Sequence, residues 1–248
     1  MNKNWLLTIP LTCLLLFTGN INAHAVKNVN WQIERIGLFS MPEGWQTTDL
    51  LQVFSTVLKE ASEKTKAKKP APSQPLPPVD PLAPLNKMNL QVYQLTSNDG
   101  KAYRTAVLLF YRHDKLMSAG EKAYFTQELS DVSREKLETT ITTTANSLKK
   151  ELVSSKQLNA SVPFLEISRP DYLKINDRPA YGLSARVMLS TYGINMPYYI
   201  KGYAFNANGF TSVAFLLTID SERNFWDPQV RKIIQSFEPA KTSIAINQ

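Results

Sequence analysis

The chain carries two histidines and one cysteine, and where they fall decides most of the chemistry open to it. Cys13 and His24 lie in the first 25 residues, ahead of an expected cleavage point after Ala25. Beyond that point His113 stands alone, so Cys–His nucleophiles and His- or Cys-built zinc sites cannot be assembled within one chain. His113-Asp114 could act as a base with its orienting carboxylate, but the pair follows a strand pattern, where a solvent-facing histidine is the ordinary reading. Gly182-Leu183-Ser184-Ala185 lacks the second glycine of a nucleophile elbow and lies in mid-strand, away from any strand-to-helix turn. No glycine-rich phosphate loop or calcium-loop spacing occurs. Asp171 and Asp177 sit in adjacent turns, where aspartate is common. The expectation is a protein without catalytic residues, metal or cofactor.

Two stretches carry binding chemistry instead. Tyr192, Tyr198, Tyr199, Tyr203, Phe205 and Phe210 crowd around one hairpin, with Arg186 and Lys201 on neighbouring strands. Tyrosines beside basic residues suit a protein partner or a sugar polymer, although tyrosine also simply favours half-buried strands. Arg186, Tyr198, Tyr199, Lys201 and Tyr203 are the candidate residues there. The second stretch is Lys66 to Lys87, in which Pro72, Pro75, Pro78, Pro81 and Pro84 recur every third residue. A polyproline II helix has three residues per turn, so these prolines form one edge. Leu76, Val79, Leu82 and Leu85 form a second, aliphatic edge of the same period. A spacer does not require that second edge. The segment is expected either to lie along an apolar groove, on its own domain or on a partner, or to act as a disordered loop. Lys59, Lys64, Lys66, Lys68 and Lys69 could touch anionic lipid, with a solvated helix end as the plain alternative.

The elements that must position these residues follow from composition and period. Lys3 and the apolar run Trp5 to Phe17, followed by Ala23-His24-Ala25, read as a signal peptide over residues 1–25. Export to the periplasm or outside the cell is therefore expected. The remainder, 26–248, suits one domain, interrupted by the proline-rich segment at 66–87. Net charge is +7, a bias toward anionic surfaces; nucleic acid is not expected as a partner of an exported protein.

A strand is predicted over Trp31–Ser40. A helix capped by Thr48 follows, with Leu50, Leu51, Phe54, Val57, Leu58 and Ala61 on one face. The pattern around Asp99-Gly100 predicts a hairpin, and Ala106–Tyr111 reads as a central strand buried on both faces. One long helix is predicted over Glu121–Ser154. Strands then follow, with Tyr181, Leu183, Ala185, Val187 and Leu189 pointing one way, and Asp227 with Pro228 starts a closing helix. The fold class is α+β, a largely antiparallel β-sheet flanked by α-helices.

Three stretches resemble the Mog/PsbP-like group, including bacterial exported DcrB-type proteins. They are FSMPEGW at Phe39–Trp45, GYAFNANGFTSVAFLLT at Gly202–Thr218 and FWDPQVRKIIQSFEP at Phe225–Pro239. The resemblance implies an antiparallel sheet sandwiched between helices in an α/β/α arrangement. It implies little chemistry, because members bind photosystem subunits or a small GTPase and share no catalytic residues. The reading that results is an exported, non-catalytic accessory or binding protein of the cell envelope, acting through protein–protein contacts. The alternative is a tether or adhesion module for anionic envelope polymer or lipid, whose binding should weaken steeply with salt. An envelope hydrolase using Ser/Lys or carboxylates is the third reading.

Overall fold

Alternating side chains dominate the middle of the chain, and a large sheet results. The computed structural model describes residues 26–27, 30–66, 89–98, 103–154 and 160–240. The expected signal peptide and the proline-rich edge Pro72–Pro84, with Leu76, Val79, Leu82 and Leu85, lie outside the described residues.

The first part of the chain holds strands β1 (Val26–Lys27), β2 (Asn30–Ile33), β3 (Gly37–Ser40) and β4 (Trp45–Asp49), then helix α1 (Leu50–Lys66). Strands β5 (Leu90–Asn98) and β6 (Tyr103–Leu116) come next, followed by helices α2 (Ala119–Thr126) and α3 (Asp131–Ser154). The last part holds β7 (Ala160–Ile167), β8 (Asp171–Ile175), β9 (Arg178–Thr191), β10 (Ile194–Ala207) and β11 (Phe210–Ile219). A single 3-10 turn at Asp220–Glu222 leads into α4 (Arg223–Gln235), and β12 (Glu238–Pro239) closes the described chain.

The main sheet has nine strands in the order β1-β4-β5-β6-β11-β10-β9-β7, with β8 also paired to β9. Every pairing in it is antiparallel. A small sheet, β12-β3-β2, joins the start of the described chain to its end. The fold is thus α+β with a predominantly antiparallel sheet. Strands that precede and follow the proline-rich segment, β4 and β5, are neighbours in the one large sheet.

Alternation sends Ala106, Leu108 and Phe110 to one face of the central strand β6 and Val107 and Leu109 to the other. The first face meets α4 and the small sheet, in a core that includes Trp31, Phe39, Trp45, Phe205, Trp226 and Phe237. The second face meets α1 through Leu50, Leu51 and Phe54, and α3 through Leu152 against Leu165 and Val187. Helix α2 adds Phe125, edge-on to Tyr181 on this second face. Helices therefore cover both faces of the sheet. No helix among the described residues is long and apolar enough to cross a membrane.

Several boundaries differ from the sequence reading. Trp31–Ser40 is a hairpin of two strands, turned by Arg35 at φ 61°. A further strand, β4, precedes α1, and Asp49 caps that helix in place of Thr48, its Oδ1 accepting from Gln52 N at 3.0 Å. The long helix is two helices. Ser118 and Glu121 form a capping box at the start of α2. The chain then extends at Gln127, and the Ser130 hydroxyl accepts from Ser133 N at 3.3 Å as α3 begins. Val132, which would continue the face of Phe125, is 77% exposed; the break lets each helix meet the sheet on its own line. Val57, placed on the apolar face of α1, is likewise exposed. The closing helix begins at Arg223, four residues ahead of Asp227, with Pro228 inside it.

Candidate binding site

Strand alternation and pairing register bring the polar residues of β9 and β10 into one row beneath α4. Tyr199 lies opposite Arg186, Lys201 opposite Ser184, and Tyr203 opposite Gly182. Asp171, at the start of β8, lies on the other side of Gly182. A side chain at Gly182 would meet Asp171 Cβ at 3.2 Å and Lys201 Cε at 3.3 Å. The glycine leaves room for the Lys201 stem, and the Lys201 ammonium pairs with the Asp171 carboxylate. Lys201 is only 4% exposed, and a buried ammonium needs such a partner.

Helix α4 supplies Asp227. Its carboxylate accepts from the Tyr199 hydroxyl and from the Tyr203 hydroxyl, each at 2.8 Å. Burial pushes both phenols well above their ordinary value, and the hydrogen bond and charge of Asp227 push further the same way. Both therefore remain neutral donors over the whole working pH range. Pro228 has no N–H to offer the Asn224 carbonyl one turn earlier, and both residues line the adjoining cleft.

That cleft has a volume of about 340 Å³ and opens where the end of β7 meets α4, among Ser168, Ser184, Arg186, Tyr199, Arg223 and Asn224. The Ser184 hydroxyl donates to Ser168 Oγ at 2.8 Å, and Ser168 donates on to the Arg169 carbonyl at 3.0 Å. Arg186 grips Asp220 from Nε, at 3.2 Å to each carboxylate oxygen, and from Nη2 at 2.8 Å; its Nη1 reaches Glu166 at 3.4 Å. Arg223 Nη1 donates to the same Asp220 at 3.1 Å. The Arg186 hydrogen bonds hold the Asp220 carboxyl below the usual carboxylate range, with Arg223 assisting, and Asp220 in turn raises Arg186.

The five candidate residues of the aromatic cluster are therefore split. Arg186 and Tyr199 line the cleft, while Lys201 and Tyr203 stand behind it, buried. Tyr198 belongs to the opposite face, packed in the cluster with Leu50 and Val92. Adjacent strand residues point to opposite faces, so Tyr198 and Tyr199 cannot share a surface, and no single exposed tyrosine face exists. His113 receives a hydrogen bond from Lys115 N at 3.2 Å on an exposed strand end. Asp114 bonds Asn89. Among the described residues no group of three or more His, Cys, Asp or Glu is placed to hold a metal ion.

Asp171, Asp220 and Asp227 were not singled out as partners by sequence reasoning. For Asp171 a signal was present: Lys201 has the core-facing parity of Tyr199 and Tyr203, and a lysine at such a position requires a carboxylate close by.

No family model matches the chain, and no curated protein matches it. Among solved structures it is similar to the protein of unknown function PA94 from Pseudomonas aeruginosa, at 12% identity and TM-score 0.38, over 68% of this chain and 90% of that one. Similarity at that level supports no argument about fold or function.

Proposed function

We propose that the protein is an exported, non-catalytic binding protein of the cell envelope, acting through contacts with another protein. The cleft beneath α4 is the contact site. One observation carries this reading: the cleft's ionisable groups are already engaged by one another. Asp227 takes two phenols, Arg186 and Arg223 share Asp220, and Lys201 is held by Asp171. A serine nucleophile needs a base on its hydroxyl, and the Ser184 hydroxyl is spent on Ser168. What the cleft offers is a fixed polar surface of serine hydroxyls, guanidinium edges and the Asn224 side chain, walled by Tyr199 and Pro228. It suits the main chain and polar side chains of an extended partner segment. The resemblance to Mog/PsbP-like proteins agrees with a binding role.

The test is cross-linking and capture of partners by the full chain from its own envelope, with Asn224→Trp as the cleft-filling control. A specific partner lost in Asn224→Trp is the expected result; a partner profile unchanged by it refutes the cleft as the contact site. The net charge of +7 favours the second reading, a tether to anionic polymer or lipid. That reading requires binding that falls steeply between low and physiological salt and is indifferent to Asn224→Trp.

A further inference from the structure

On the sheet face opposite α4, one end of the central strands is left uncovered. Alternation directs Tyr103 and Thr105 of β6, Phe215 and Ile219 of β11, and Ile194 and Met196 of β10 to this face. Helix α1 is seated over β5 and β6, and α3 over β7 and β9. Between them Tyr103 is 72% exposed, Ile219 54%, Ile194 63%, Phe215 39% and Met196 36%. Five large apolar side chains on three neighbouring strands make a continuous band, and bands of that kind mark contact sites.

We propose that this band is the seat of the chain's own proline-rich segment, with Leu76, Val79, Leu82 and Leu85 as the side chains that fill it. This inference is independent of the cleft on the other face.

The ends of the segment favour it. The segment follows α1, one of the two helices bordering the band, and its far end reaches Asn89, which is fixed at the sheet's edge by Arg35 and Asp114. The 22 residues 67–88 lie between α1 and Asn89. As polyproline II they reach ~68 Å, at ~3.1 Å per residue. Crossing from β5 to β9 takes four interstrand steps, ~19 Å, so the segment can span the band and return. Spacing agrees as well. Residues three apart in polyproline II are separated by ~9.3 Å, close to two interstrand spacings of ~9.6 Å. A segment lying across the strands therefore sets one aliphatic side chain over every second strand. Between Pro70 and Asn86 the only charge is Asp80, while lysines flank both ends; the middle can be covered while the ends stay in water.

Two measurements test this on the full chain carrying Cys13→Ser. In the first, Ile219→Cys is labelled with a thiol reagent, with the native segment or with Leu76→Ser, Val79→Ser, Leu82→Ser and Leu85→Ser together. Labelling about tenfold slower with the native segment is expected, since a seated segment must open before the thiol reacts. Equal rates overturn the proposal. In the second, a photo-reactive phenylalanine analogue replaces Leu82 alone, leaving the rest of the segment native. Cross-links within one molecule to residues of β6, β10 or β11 are expected. Cross-links between two copies, to added anionic vesicles, or to the α4 face would each assign the band or the segment elsewhere and overturn it.

Discussion

Replacing Asp227 with alanine removes the acceptor of two buried phenols in one step. Tyr203 is 1% exposed and Tyr199 6%, so neither hydroxyl simply returns to bulk water. A hydrogen bond to a charged acceptor contributes about 1.5–3 kcal/mol, and an orphaned buried donor costs about 1–3 kcal/mol. Tyr199 borders the cleft and can be rehydrated there, which places its share at the low end. Tyr203 sits deeper, and its share is larger. Asp227→Ala is therefore expected to destabilise the fold by about 3–4 kcal/mol, and Asp227→Asn, which keeps one acceptor oxygen, by about 2 kcal/mol. The assay is urea unfolding at pH 7, where about 3 kcal/mol moves the midpoint by ~1 M at a slope of ~3 kcal/mol per M. The double mutant Asp227→Ala with Tyr203→Phe should fall short of the sum of the single effects by about 1–2 kcal/mol. If Asp227→Ala lies within ~0.5 kcal/mol of the parent, or if no coupling to Tyr203→Phe is found, the carboxylate does not organise these hydroxyls and the reasoning for a locked cleft fails.

Gly37→Ala would drive its Cβ to 2.2 Å from the Glu238 carbonyl and 2.5 Å from the Phe237 ring; the backbone pairing of β3 with β12 must give way, and thermal unfolding should show a loss of more than ~2 kcal/mol. Burial pushes the Tyr93 and Tyr181 phenols up to about 12, whereas unfolded tyrosine ionises near ~10. Their contribution is thus complete below about pH 10 and lost as pH rises toward 12, so Tyr93→Phe with Tyr181→Phe should flatten the alkaline limb of stability; an unchanged limb refutes the assignment. Asp220 has the opposite sign: its carboxyl is lowered by Arg186, so its contribution is present above the unfolded value near ~3.9 and fades as pH falls below it. Asp220→Asn should therefore flatten the acid limb in denaturation at pH 2–5. Ser118→Ala removes the capping box of α2 and should cost about 1 kcal/mol in urea unfolding while leaving the α4 side unaltered.

Where period and turn chemistry agree, the sequence was readable. The β10–β11 hairpin turns at Asn208 and Gly209, both at positive φ, and β9 alternates without interruption from Tyr181 to Leu189. The β2–β3 turn was hidden because Glu34-Arg35-Ile36 contains no turn residue. Arg35 is held in its left-handed conformation by context: Ile36 is fully buried and the Arg35 carbonyl accepts from Arg112 at 2.9 Å. Asp227-Pro228 has the spelling of a helix start, but α4 runs through it, which frees the carboxylate to meet two tyrosines. The break between α2 and α3 is set by the sheet beneath, and no glycine or proline announces it. The cleft was the least legible feature. Its partners, such as Asp171 with Lys201 and Asp220 with Arg186, lie 30 and 34 residues apart, and only the sheet register brings them together.

The two faces of the sheet are finished by different parts of the sequence. Phe39, Phe205 and Phe237 pack against one another, with ring centroids 4.9–6.4 Å apart, and Trp45 meets Trp226 at 4.9 Å. These residues come from Phe39–Trp45, Gly202–Thr218 and Phe225–Pro239, the three stretches that carry the Mog/PsbP-like resemblance. What resembles is therefore the construction of one layer, the α4 face, where hydrophobic burial and the Asp227 network leave little freedom. The opposite face is built by α1, α2 and α3, none of which belongs to those stretches. It retains a row of exposed apolar side chains beside the exit of α1. Lengthening a loop costs only ~0.6 kcal/mol per doubling, so a long connection between α1 and β5 needs no explanation by itself. An aliphatic edge with the period of polyproline II does, and an uncovered apolar band within its reach supplies one.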